Sequence, residues 1–380
     1  MPFTRTLALL VIALLLPPIV GAADEPAWEP LFNGKDLSNW VNVNCAPDTW
    51  TVGDGVIRCT GKPTGALRTK VMYENFVVEL EWRHLKAGGN AGIFVWSSPI
   101  AAPGVPFLRA VEVQVLDNGY DAKGKNEWYT THGDVFPIHG STMKPIYKGK
   151  GMRCFPLEEH SRSAPEWNAY RIEARDGKIR LSVNGHLVSG GDDCVWRKGY
   201  FGLESEGSPT EWRNLRIQVL PGSSATAEQT APEAAAWTPL YTGIDLAGWT
   251  TGEDHRKAWT SHDWQLHVSK DGDTLWSDQG RKNFELVVDL KSDEGSDAGS
   301  SPRVVLQRGG KTIECAAPDK PRAWQRRVIT LTGGKVKTTS PSSDQVEELD
   351  LTEAGDTPVR IGLHGENAAF ANLYLRELKD

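Results

Sequence analysis

The chain has 380 residues, with 42 Lys and Arg against 49 Asp and Glu, a formal net charge of −7 and an isoelectric point of about 5.8. A mildly acidic chain without a long basic stretch argues against a nucleic-acid partner. The length allows two domains of ordinary size, each burying its own core.

The amino terminus places Arg5 before an apolar run from Leu7 to Leu16, then prolines, then Gly21, Ala22 and Ala23. That order predicts a secretory signal peptide over residues 1–23. The run is well short of the roughly 20 residues needed to span a bilayer, so no membrane span is expected. No Cys follows at a lipoprotein-like position, and a secreted or periplasmic location is expected.

From residue 28 the pattern is nearly all strand. Short runs such as FVVELEW from Phe76, AGIFVW from Ala91, VEVQVLD from Val111 and LRIQVL from Leu215 alternate or are bounded by turn residues. Asp176-Gly177 and Asn184-Gly185 predict two tight hairpins. No window carries a long amphipathic helix. Most of the fifteen tryptophans are expected in sandwich cores, with a few available to stack on sugars. Four of the five cysteines precede residue 195, which suggests Cys45–Cys59 and Cys154–Cys194 bridges with Cys315 left as a free thiol. Spacing alone does not determine that connectivity.

Residues 221–236, PGSSATAEQTAPEAAA, read as a linker. Beyond it the opening motif returns: LFNGKDLSNW from Leu31 becomes LYTGIDLAGW from Leu240, and NFVVELEW from Asn75 becomes NFELVVDL from Asn283. The chain therefore reads as an internal duplication, residues 28–220 and 237–380. The interval from Phe76 to Trp167 shrinks to that from Phe284 to Trp324, a loss of 51 residues. The lost stretch is the one in the first copy richest in Gly, His, aromatic and carboxylate residues, so function is expected in the first copy. The fold class predicted is all-β, two jelly-roll sandwiches, the second shorter.

A series of motifs runs through the first copy in order: W-x-V-x-D-G-V-I from Trp50, L-R-T-K from Leu67, G-N-A-G-I-F from Gly89, E-V-Q-V-L-D-N from Glu112, E-W-N-A-Y-R-I from Glu166 and G-L-E-S-E-G-S-P-T-E-W-R-N-L-R-I from Gly202. This order resembles the 3-keto-disaccharide hydrolase domain family, whose fold is concanavalin A-like. The resemblance implies a carbohydrate substrate whose C3 is a ketone. That ketone acidifies the C2 proton, so a base can remove it and the C1 substituent can leave by elimination, with water completing a net hydrolysis. Such chemistry needs a base, an enolate stabiliser and a proton donor. A bound divalent metal ion is one way to supply the stabiliser.

Strand alternation puts Glu112 and Gln114 on one face and Val111, Val113 and Val115 on the other, which makes Glu112 the candidate base or metal ligand. His139, in the loop that the second copy lacks, is its candidate partner, with His132 nearby. Asn90, Gln114 and Arg68 are candidates for polar contact with the sugar, and Trp96 for stacking. Asp117 fits a turn and a site role equally. Family members commonly carry Q-D-H-G before the last strand. This chain has Glu204-Ser205-Glu206-Gly207, so Glu206 stands where that His would be, while the second copy has His364-Gly365. Glu204 and Glu206 complete the expected sugar-binding set. The alternatives to a glycoside-cleaving hydrolase or lyase are a non-catalytic carbohydrate-binding sandwich and a structural cell-surface protein.

Overall fold

A computed structural model describes residues 26–379 except 122–125, 132, 235, 271, 294–300, 316–319 and 321. The expected signal segment and His132 lie outside the described residues. Among the described residues no helix is long and apolar enough to cross a membrane.

The first domain is a concanavalin A-like jelly-roll sandwich of two antiparallel sheets. Its back sheet runs, edge to edge, Thr142–Pro145, His186–Val195, Lys178–Val183, Asn168–Arg175, Phe76–His84, Thr210–Val219, Val56–Cys59 and Trp50–Gly53. The second sheet, here the site sheet, runs Gly149–Lys150, Arg153–Cys154, Val135–Ile138, Ala110–Leu116, Asn90–Ser97, Gly199–Ser205, Gly65–Tyr73 and Trp40–Val43. Alternation drives the assembly. Val111, Val113, Val115, Ile93 and Leu203 of the site sheet meet Val78, Leu80, Trp82, Ile172 and Trp212 of the back sheet in one core. The two predicted hairpins form as read: Asp176 and Gly177 have φ of 51° and 73°, Asn184 and Gly185 of 48° and 90°, the signs a two-residue primed turn requires.

The second domain repeats this strand order. Its larger sheet runs Trp259–His262, Gln265–Val268, Ala368–Glu377, Phe284–Ser292, Gln325–Thr332, Lys335–Ser340 and Ser343–Asp350. Its smaller sheet runs Trp249–Thr250, Leu275–Ser277, Arg360–His364, Arg303–Arg308 and Lys311–Cys315. Among the described residues it has no counterpart of Val135–Ile138, Thr142–Pro145, Gly149–Lys150 or Arg153–Cys154, the strands that fall within the 51-residue difference. Residues 221–234 do not hang free between the domains. Ser223 and Ala225 donate their N–H groups to Glu74, Ala231 donates to the Lys198 carbonyl, and Ala234 donates to the Tyr200 hydroxyl.

The larger sheet of the second domain packs on part of the outer face of the site sheet. Val287 and Tyr374 meet Val43, Ala66, Phe94, Leu108 and Ala110. A buried polar network stitches this contact. Asp289 accepts from Gly104 N (2.7 Å) and from Arg326 (2.7 and 2.9 Å). Asn372 donates to the carbonyl of Val105 and to Asp289 and accepts from Asn44, while Tyr374 donates to Asn44. The remainder of the site sheet's outer face stays open as a pocket.

All five cysteines are free and buried, which corrects the expected bridges. Four of the thiols have polar contacts of their own: Cys45 contacts the Pro63 carbonyl, Cys59 accepts from Gly61 N, Cys154 contacts the Phe155 carbonyl and Cys315 the Val304 carbonyl.

Candidate active site

On Ala110–Leu116 the valines face the core and Glu112 and Gln114 face outward, as alternation requires. Outward here is not solvent, since Glu112 is only 6% exposed and Gln114 5%. They line a pocket of about 310 Å³ with Asn90, His139, Arg153, Glu204 and Glu206, and with Phe107, Phe136, Tyr120 and Tyr129 as aromatic walls.

Three carboxyl groups meet in this pocket. Glu112 and Glu204 approach each other across Gly92, where an added Cβ would lie 2.8 Å from an oxygen of each, so the glycine makes the meeting possible. Glu204 is 1% exposed, shares a hydrogen bond with Glu206 and leaves its Oε2 buried without a partner. Glu206 is half-buried and accepts from Asn90 Nδ2 at 2.5 Å. Asn90 in turn accepts from Gln114 Nε2 at 3.1 Å, which fixes which end of its amide faces Glu206. The positive charge comes from Arg153. Its guanidinium lies 3.3 Å over the Phe136 ring and donates to Asp134 (2.9 Å) and to Gln114 Oε1 (3.3 Å).

Burial and mutual repulsion separate the protonation states. Desolvation, reinforced by Glu206, pushes Glu112 up to about 8. Burial, with the neighbouring Glu112 and Glu206, lifts Glu204 well above the carboxylate range. Glu206 is also raised by burial, but its hydrogen bond with Glu204 pulls it back. Burial therefore favours the proton on Glu204 and, below about 8, on Glu112, while the hydrogen bond with Glu204 favours the charged form of Glu206. Burial also lowers the pKa of His139, which favours the neutral imidazole, and its ring stacks on Phe107 at 5.9 Å.

Glu112 has a folded pKa above its ordinary 4.5, so the stability held by its neutral form is full below about 4.5 and drains away as pH rises through about 8. The thermal midpoint is expected to fall between pH 5 and pH 9, and to fall less in Glu112→Gln. An equal fall in both proteins contradicts the assignment.

Glu112, His139, Asn90, Gln114, Glu204 and Glu206 thus converge as expected site residues, and three others do not. Trp96 is 1% exposed, packs on Phe76 and donates Nε1 to the Glu74 carbonyl. Its φ of 54° and a register shift against Gly199–Ser205 mark a bulge that turns the ring into the core. Arg68 is 2% exposed and braces backbone, donating to the carbonyls of Pro99 and Thr69 beneath the Tyr200 ring. Asp117 has the turn role. Burial would raise its pKa, but the N–H groups of Gly88, Ala164 and Gly119 outweigh that and hold it below the usual range. Arg153 lines the pocket and the fully buried Asp134 holds its guanidinium from behind; no motif singled out either residue, although both lie in the stretch the second domain lacks.

The donors available for a divalent cation are hard carboxyl oxygens, a suitable class for such an ion. Among the described residues, however, no three His, Cys, Asp or Glu side chains converge as a ligand set. The Asn90 amide oxygen is already taken by Gln114. Paired with one another and with Asn90, the carboxyls do not present a ligand set for a metal.

Residues 27–218 match the family model described as a 3-keto-alpha-glucoside-1,2-lyase-like domain. Among solved structures, a Parabacteroides distasonis protein with the provisional description glycosyl hydrolase is 21% identical, covering 51% of this chain and 94% of its own, with a TM-score of 0.39. The carbohydrate-binding module CBM66 from Bacillus subtilis is 12% identical over 47% of this chain and 95% of its own, TM-score 0.35. The kappa-carrageenase of Pseudoalteromonas carrageenovora, solved with an oligotetrasaccharide, is 14% identical over 54% and 99%, TM-score 0.35. No curated protein matches the chain.

Proposed function

Since the chain belongs to the 3-keto-alpha-glucoside-1,2-lyase-like family, a carbohydrate-acting one, we propose that its first domain cleaves 3-keto-glycosides by elimination across C1 and C2. The observation that carries this reading is the carboxyl trio gathered in one pocket, where burial favours the proton on Glu112 and Glu204 and a hydrogen bond favours charge on Glu206, since elimination needs a base and an acid side by side.

Glu206 acts as the carboxylate that removes the C2 proton, and the electron pair moves onto the C3 oxygen as an enolate. Arg153 is the nearby cation suited to that oxygen, and Asp134 and Gln114 hold its guanidinium in place. When the ketone re-forms, the pair becomes the C1–C2 double bond and the C1–O bond breaks. Glu112, neutral below about 8, gives its proton to the departing oxygen. Water then adds at C1 while C2 regains a proton, so one water is consumed and a free 3-keto sugar is produced. This exchanges the role expected for Glu112: a carboxyl neutral at pH 7 is an acid rather than a base. The Glu206 position, a His in relatives, falls to the base.

The test is turnover of a 3-keto-disaccharide beside its unoxidised counterpart. Release of sugar from the keto form alone supports the proposal. Binding of both without cleavage, unchanged in Glu112→Gln, would leave a carbohydrate-binding sandwich instead.

A further inference from the structure

A second cavity, of about 480 Å³, opens at the junction of the two domains. Its walls include Arg109 and Trp196 of the first domain and Trp237, Arg326 and Arg376 of the second. His139 lines both this cavity and the carboxyl pocket, so the two adjoin at that ring. The junction is firmly built, because the loop between Ser98 and Arg109 that separates the cavities is held by the buried Asp289 and Asn372 network.

The charges in this cavity are unequal. Arg326 is neutralised by Asp289 and Arg376 by Glu285. Arg109 pairs with no carboxylate among the described residues. Its guanidinium lies 3.8 Å over the Trp196 ring, and its Nε is buried without an acceptor. Glu233, also on the wall, is exposed to solvent and correspondingly screened. A flat cation backed by an indole and lacking its own anion is suited to a carboxylate.

We propose that the junction cavity is the subsite for the leaving group at C1, and that Arg109 on Trp196 selects leaving groups that carry a carboxylate. This rests on the reading of the preceding subsection, since it assumes a keto-glycoside in the carboxyl pocket. A pocket of about 310 Å³ holds the reacting ring, and the C1 substituent passes His139 into the junction. The second domain thereby contributes Trp237, Arg326 and Arg376 to specificity although it lacks the carboxyl trio.

The test separates binding from turnover. Calorimetry on the full chain would compare glucuronate with glucose and 4-hydroxybenzoate with 4-hydroxybenzamide, each as a free leaving group. At least one acid is expected to bind ten or more times more tightly than its neutral partner, and the stronger arm tells a sugar acid from an aromatic one. In Arg109→Gln that ratio is expected to collapse toward one, and in Arg109→Lys to be partly kept. Should Arg109→Gln fail to fold, the pair Arg109→Lys and Trp196→Phe would be read by the same ratio. Equal binding of acids and neutral partners, or a preference that survives loss of Arg109, overturns the proposal. Because no cleavage is measured, acid-selective binding without turnover of any keto-glycoside would count against the catalytic reading alone.

Discussion

Glu206→Gln is expected to lower kcat on a 3-keto-disaccharide by about 10² to 10⁴, the span typical of a lost general base. Gln keeps the size of the side chain and a carbonyl oxygen toward Asn90 Nδ2 but cannot accept the C2 proton. The variant is not expected to lose stability. The charge of Glu206 is one cause of the raised pKa of Glu112 and of Glu204, and removing it relieves the field on both buried carboxyls. Steady-state kinetics with a thermal scan would check both halves. A loss below tenfold, or a large drop in thermal midpoint, would move the base elsewhere in the pocket.

The largest stability effect is expected at the domain contact. Asp289 is fully buried and accepts four hydrogen bonds, two from Arg326, one from Gly104 N and one from Asn372. Asp289→Ala leaves Arg326 as an uncompensated cation, and breaking a buried pair in this way costs about 3–5 kcal/mol. The same change frees Gly104, in the loop that carries Phe107 onto His139, so KM should rise as well. Urea unfolding followed by tryptophan fluorescence gives the first number and kinetics the second. A cost under about 1 kcal/mol would mean that the two domains do not depend on this network.

The sequence carried the framework because strand patterning and turn chemistry are local. Asp176-Gly177 and Asn184-Gly185 can be read as hairpins from two residues each, and Glu112 follows from counting alternate positions along one strand. Trp96 could not be read in this way, because a bulge breaks the count one residue before it matters. Arg68 and Asp117 have the chemistry of ligand-binding groups but are consumed by backbone partners distant in sequence, Pro99 for Arg68 and Ala164 for Asp117. Arg153 reaches the pocket from the short edge strand Arg153–Cys154, backed by Asp134, through a chain path that no period encodes. Glu206, which in sequence only departs from the family's usual His, is in space the third member of the carboxyl cluster.

The most direct measurement of the central claim follows a 3-keto-disaccharide carrying deuterium at C2, beside the unoxidised disaccharide labelled at the same carbon. Elimination predicts slower cleavage of the deuterated keto substrate than of its unlabelled form, loss of the label to water in the product, and no cleavage of the unoxidised sugar. Equal rates with the label retained at C2, or cleavage of both sugars alike, would contradict it.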